Sequence, residues 1–128
     1  MLKHWYDIPV ADTVMIPRQV MPQIEAHDYN ALIRFVRERE IWVVRRSVMP
    51  QLLRHHQSVD WVPSKYQDLT QEHSEIWVAN DWFILDGNHR AYADTLNGRQ
   101  SKIIQVGAPF EPAIKLLFEF PRTRSGET

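Results

Sequence analysis

The spacing of apolar positions changes several times along the chain, and each change marks an element. Val10 to Ile16 reads as a short strand ahead of a turn at Pro17. Met21-Pro22-Gln23-Ile24 reads as extended, because Pro22 biases Met21 towards β. Asp28 is a good N-cap, and behind it Leu32, Ile33, Phe35 and Val36 give a helix one apolar side, with Arg34, Arg37 and Arg39 facing outward. Ile41-Trp42-Val43-Val44 is a β-type run suited to a buried strand. Pro50 to Arg54 opens a further helical turn, and Ser64 caps a short helix over Lys65 to Glu72.

The second half alternates more regularly. Glu75 to Ala79 and Trp82 to Leu85 are β-rich runs flanking Asn80-Asp81, a pair suited to a tight hairpin turn. Gly87 follows directly, His89 to Leu96 reads as a helix, and Asn97-Gly98 is its stop. Lys102 to Val106 is another strand. Pro109 or Pro112 then sits in the first turn of a last helix carrying Ile114, Leu116, Leu117 and Phe118. The expected fold is a small α+β domain with a mixed sheet and helices packed around it, spanning 1–120, with 121–128 a loose polar tail.

Composition narrows the class. At 128 residues and 44% hydrophobic, with five Trp, the chain has enough apolar mass for one real core. A net charge of −1 makes the whole molecule no polycation. No apolar run approaches the roughly 18 residues of a membrane span. The opening Met1-Leu2-Lys3-His4-Trp5-Tyr6-Asp7 lacks an apolar signal core, so a cytoplasmic protein is expected. Cysteine is absent, which excludes disulfides, thiolate metal sites and a cysteine nucleophile.

The junction Asp86-Gly87-Asn88-His89-Arg90 carries the most chemistry. A helix start has a positive dipole end and amides without helical partners, so it stabilises anions. Gly87 permits a positive φ and a close approach, Arg90 can fork onto two phosphate oxygens, and His89 can donate another bond. Asp86 can cap the helix, orient His89 or hold a magnesium ion that bridges phosphates. The same turn also occurs for purely structural reasons, and Arg90 with Asp94, four apart, can form a simple surface pair.

The string Phe83-Ile84-Leu85-Asp86-Gly87-Asn88-His89-Arg90-Ala91-Tyr92-Ala93 resembles the signature turn of the ParB/sulfiredoxin superfamily, in which a strand runs into Asp/Gly-Gly-x-His-Arg and a helix. The resemblance covers about Glu75 to Val106, including the hairpin before the turn and the strand after the helix. Val62-Pro63-Ser64-Lys65-Tyr66-Gln67-Asp68-Leu69 resembles the family's helix start, whose lysine reaches ligand phosphates. Ile16-Pro17-Arg18 with Met21-Pro22-Gln23-Ile24 is similar to ParB-like proteins from phage genomes.

The resemblance implies a nucleoside phosphate bound by Gly87, Asn88, His89, Arg90 and Lys65, with Asp86 and His89 as the catalytic pair and Mg²⁺ as a companion. ATP or ADP is favoured over CTP, because the CTP-binding partition proteins carry an acidic-and-arginine version of the turn and this chain has His89. Sulfiredoxin chemistry is excluded, since its cysteine position is Asn88 here. Partition proteins follow this domain with a helix-turn-helix, and about 22 residues follow Val106, so centromere binding by this chain alone is not expected. The superfamily's free serine kinase also begins its motif Asp-Gly-His-His-Arg; Glu25 and Glu72 are both candidates for its catalytic glutamate. The first expectation is therefore an ATP- or ADP-dependent phosphotransferase or hydrolase. The alternative is a non-catalytic nucleic-acid- or protein-binding module, with a nuclease ranked last because no carboxylate cluster suits a catalytic metal.

Three other patterns remain. His55 and His56 diverge as neighbours, so with His73 and His89 they ligate a metal only if folding gathers them. Arg34, Arg37, Arg39, Arg45, Arg46 and Arg54 outnumber Glu38 and Glu40, and they would hold nucleic acid if they shared one face. Trp42, Trp61, Trp77 and Trp82 read as core or pocket-wall residues, with Trp77 and Trp82 paired across the hairpin.

Overall fold

Strand β5 (Ser101–Val106) is buried at every position but Lys102, and it takes the interior of the sheet. The structure is a computed structural model, and it describes residues 20–55 and 73–125. Its described elements are β1 (Pro22–Gln23), α1 (Tyr29–Arg37), β2 (Val43–Val48), β3 (Ile76–Val78), β4 (Ile84–Asp86), α2 (Asn88–Leu96), β5, α3 (Phe110–Phe118) and β6 (Arg124–Ser125). Short 3₁₀ turns cover Ala26–Asp28 and Pro50–Leu52. The architecture is α+β: three helices pack with a four-stranded mixed sheet of order β2-β5-β3-β4, beside a two-stranded β1-β6 sheet. The strand expected over Val10 to Ile16 and the helix over Lys65 to Glu72 lie outside the described residues.

Strand pairing fixes which side chains share a face. β2 runs antiparallel to β5, placing Arg45 opposite Ile104, while β3 runs parallel to β5 and puts Trp77 beside the same Ile104. Residues directly opposite point to one side of a sheet. Val43, Trp77, Ile104 and Val106 thus join Leu32, Ile33 and Val36 of α1 and Ala113, Leu116 and Leu117 of α3 in the main core. The alternate positions Val48, Ile76, Val78, Ile84 and Ile103 meet Ala91 of α2 and Leu53 in a second cluster. The sheet is therefore covered by α1 and α3 on one side and by α2 on the other. Each fully buried aliphatic here contributes about 1.5–3 kcal/mol relative to exposure.

Several expectations shift by a residue or two, for local reasons. Asp28 stands at the N-cap of α1 but makes no side-chain cap bond; its carboxylate meets Arg122 Nε at 2.7 Å instead. The strand read from Ile41 starts two residues later, and Trp42 is 50% exposed rather than a core residue. Arg124 and Ser125 pair with Gln23 and Pro22, and Arg124 bridges Glu25, so part of the segment read as a loose tail is held to the domain. Pro109 is the N-cap of α3 and Pro112 lies inside its first turn. Gly98, at φ 62, follows the C-cap Asn97 of α2.

The β3–β4 hairpin turns at Asn80-Asp81 as expected, with the Trp82 amide donating to Ala79 O at 3.1 Å and the Ala79 amide to Phe83 O at 2.9 Å. Trp82 then adopts φ 74, the left-handed position that a three-residue hairpin loop usually gives to glycine. The Trp77–Trp82 pair does not form. Trp77 instead meets Tyr29 edge-on at 5.5 Å, whereas Arg46 lies over the Trp82 ring at 5.4 Å. The bulge between Trp77 and Val78 and the left-handed Trp82 decouple the two indoles.

The register makes a direct prediction. Ile104→Ala opens a fully buried site and lowers stability by about 2–5 kcal/mol, whereas Val44→Ala, on the opposite face and 40% exposed, costs less than about 1 kcal/mol. Urea unfolding of the two variants checks this, and a loss at Val44→Ala as large as that at Ile104→Ala would mean that β2 pairs one residue out of step.

Candidate functional site

Strand β4 ends at Asp86, and the chain turns into α2 through one residue. Gly87 has φ 119, a conformation side chains rarely adopt, and it is the N-cap of the nine-residue helix. The first helical bond is Ala91 N–H to Gly87 O at 3.0 Å. The amides of Asn88, His89 and Arg90 therefore lie ahead of the helical ladder, at its positive end. Among the five residues of the junction, His89 is half-buried and the other four are buried.

Arg90 does not reach outward. Its Nη1 donates to Glu75 O at 2.7 Å and to Tyr29 Oη at 2.9 Å, and its Nη2 lies 3.3 Å from Asp86 Oδ1. The guanidinium folds back over Gly87: a Cβ built there would stand 3.1 Å from Arg90 Nε and Nη2 and 3.1 Å from Ile76 Cγ1. The other Asp86 oxygen accepts the Ile24 amide at 3.0 Å. Asp86 thus ties the residue after β1 to the first turn of α2. Tyr29, held between Arg90 and Glu75 O, has its phenol pushed up by burial, against the lowering effect of Arg90.

The first residue of α2 brings in a partner that sequence reading missed. Asn88 Oδ1 accepts from His55 Nδ1 at 2.6 Å, and the His55 ring lies 4.5 Å from that of Tyr92, one turn along the helix. Burial lowers His55 from its ordinary value, with the Asn88 bond acting the other way. Asn88 Nδ2 and Tyr92 Oη are buried and have no hydrogen-bond partner among the described residues. His55 sits 33 residues before Asn88 on a different element. Only the helical phase of Asn88 and Tyr92, four apart, hinted that something would pack there.

On the flank of the same helix, Asp94 is 1% exposed and fully engaged. It accepts from His73 Nε2 at 2.6 Å, Ser101 Oγ at 2.6 Å and Arg99 Nε at 2.7 Å. His73 Nδ1 faces Ser74 O at 2.7 Å, so both ring nitrogens meet acceptors. Burial alone would raise the Asp94 carboxyl, but the bonds from His73, Ser101 and Arg99 outweigh it and hold it below the ordinary aspartate range. The surface pair expected between Arg90 and Asp94 is replaced by Arg90–Asp86 and Arg99–Asp94.

The remaining candidates separate. Lys65 and Glu72 lie outside the described residues, as do His56 and Trp61. Glu25 is paired with Arg124 at the β1–β6 sheet. His55 and His73 have different partners, and among the described residues no three His, Asp or Glu side chains gather as a metal site. Arg45 and Arg46 lie on opposite faces of β2, the first on Glu75 and Asn30, the second on Gln105. Arg37 donates to Val43 O and Arg39 lies over Phe35. Among the described residues no helix is long and apolar enough to cross a membrane.

Comparison with known proteins returns no match, whether against family models, curated proteins or solved structures.

Two predictions follow from this geometry. Gly87→Ala combines a left-handed backbone with contact on Arg90 and Ile76, so it lowers stability by about 1–3 kcal/mol in a urea titration. Asp94 has a depressed folded value, so its contribution is complete above the unfolded value and disappears as pH falls through the folded one. Asp94→Asn therefore destabilises at neutral pH and flattens the acid limb of the Tm profile; an unchanged limb would show that Asp94 is not linked to folding.

Proposed function

We propose that this chain binds a nucleoside phosphate at the N-terminus of α2. The observation that carries the reading is the pairing of a Gly87-launched helix end with Asn88, whose side chain at that end is buried and keeps an amide donor without a partner among the described residues. A lone helix start is common; one with a buried donor left unused is not. The amides of Asn88 and His89, with Asn88 Nδ2 and the half-buried His89 ring, would receive the phosphate oxygens. Arg90 shapes the corner from within: paired to Asp86 and bonded to Glu75 O, it fixes Gly87 and brings positive charge close behind the phosphates.

The resemblance of Asp86-Gly87-Asn88-His89-Arg90 to the ParB/sulfiredoxin turn supports a nucleotide as the ligand, with ATP or ADP favoured over CTP and Mg²⁺ carried on the phosphates. The reaction class that suits these parts is phosphoryl transfer or hydrolysis, in which the protein supplies positioning and charge rather than a covalent intermediate. His89 and Asp86 are the groups of the turn able to handle a proton.

A thermal-shift panel of ATP, ADP, CTP and GTP, with and without Mg²⁺, tests the reading. A ligand at a hundred times its Kd stabilises by about 2.7 kcal/mol, so the preferred nucleotide gives a clear rise in Tm. His89→Ala and Asn88→Ala should each reduce that rise while leaving the ligand-free protein folded. No shift with any nucleotide or with inorganic pyrophosphate at millimolar concentration would remove the proposal.

A further inference from the structure

At the edge of the sheet opposite β4, strand β2 is outermost, with β5 on its inner side. Its register runs from Val43↔Val106 to Val48↔Ser101 without a shift. The Gly107 amide donates to Trp42 O at 2.8 Å, so the Trp42 carbonyl is turned towards β5. Residues of an antiparallel pair alternate in this respect, so Val44, Arg46 and Val48 also bond inward. Val43, Arg45 and Ser47 then present N–H and C=O to the open side. Arg37 Nη2 covers the outward Val43 O at 2.6 Å, and among the described residues no backbone group pairs with Arg45 or Ser47 there. Neither proline nor a bulge interrupts this edge, and its two charges are both positive.

On the α2 side of this edge the side chains repeat at every second residue, Trp42, Val44 and Arg46, about 7 Å apart. Trp42 and Val44 are 50% and 40% exposed. The Trp42 indole lies against Gly107, where any side chain would collide with it. Arg46 is exposed and yet held in place. Its Nη1 donates to Gln105 Oε1 at 3.0 Å, and its guanidinium lies over the Trp82 ring. Gln105 is buried and neutral, with its own amide donated to Ala79 O at 3.2 Å. Arg39, Arg45 and Arg99 each meet a carboxylate; among the described residues Arg46 meets none. We propose that the open edge of β2 takes an extended acidic segment of another protein as an added strand, with a carboxylate opposite Arg46 and apolar side chains opposite Val44 and Trp42. Alternate side chains of a peptide strand share the spacing of those three residues, and its backbone supplies what Arg45 and Ser47 can bond. Residues opposite Val44 and Arg46 would form the closer, non-hydrogen-bonded pairs, which suits an ion pair at Arg46. A second copy of this chain suits the edge less, because antiparallel pairing of Arg45 with Ser47 across a two-fold axis sets Arg46 against Arg46. The inference is independent of the phosphate reading.

The probe is the peptide acetyl-Thr-Glu-Thr-Val-Thr-Leu-Thr-amide. Set antiparallel to β2, it puts glutamate opposite Arg46, valine opposite Val44 and leucine opposite Trp42. Calorimetry with the parent protein should show saturable binding. Methylating the backbone nitrogen of the threonine between glutamate and valine removes the bond to Arg45 O and should weaken binding about tenfold. Exchanging the glutamate for lysine should weaken it at least as much. Arg46→Glu should reverse that order, so that the lysine peptide binds the variant better than the glutamate peptide does. Circular dichroism checks that Arg46→Glu is folded, and the methylated peptide, read on the parent alone, keeps the test decisive if it is not. No saturable binding at millimolar peptide overturns the proposal. Binding that survives methylation, or that ignores the sign of the charge at position 46, overturns it too, since neither is strand addition beside an arginine. A parent that sediments as a dimer and refuses the peptide would place a second copy on the edge and overturn it as well.

Discussion

The buried Arg90–Asp86 pair is the interaction on which the corner of this molecule depends. A guanidinium taken out of water must be matched in charge and hydrogen-bonded at its nitrogens, or the fold loses several kcal/mol. Here the match draws in four separate pieces of chain: Asp86 from the end of β4, Glu75 O ahead of β3, Tyr29 from α1, and the Ile24 amide through the far Asp86 oxygen. Removing either partner would take away the ion-pair contact of a buried charge where the sheet meets two helices. The pair also explains the glycine, because the guanidinium occupies the place where a side chain at 87 would begin.

That arrangement changes what Arg90 can contribute. From its spacing it reads as a fork for an outside anion; in the fold it grips the protein itself. In the proposed reading, the outward chemistry falls to the two residues before it in the helix, Asn88 and His89, and to the backbone. A buried ion pair behind a row of amides still favours an anion in front of them, since the guanidinium lies close to the first turn and Asp86 is partly neutralised by its amide and guanidinium contacts.

Helix α2 presents two polar clusters with opposite characters. Around Asp94, donors and acceptors balance and the helix is fastened to β5 and to the approach of β3. Around Asn88 they do not balance among the described residues, although burial is nearly as deep. Proteins fill such places or abandon them, and an incompletely satisfied buried network at a helix start is where a binding partner has most to gain. Trp82 adds a second local tension, a bulky residue in a backbone region that glycine normally occupies.

Much of the fold was legible because short-range patterns decide it. Leu32, Ile33 and Val36 could bury together only as a helix, Asn80-Asp81 could only turn, and Gly87 between a β run and a helical run could hardly be anything but the junction. Misreadings such as the Trp77–Trp82 pair and the outward Arg90 came from assuming ideal geometry at a hairpin that bulges and a corner that closes inward. His55, Glu75 O and Tyr29 were invisible as site neighbours, being 33, 15 and 61 residues from their partners. The amino-acid order thus determined the periods, the breaks between them and the place where β gives way to α, since those follow from side-chain spacing and backbone preference within a few residues. Which polar groups meet in the interior, and which of them are left with an unused bond, was decided only by the packing of distant segments, because burial and partner choice are properties of the assembled chain.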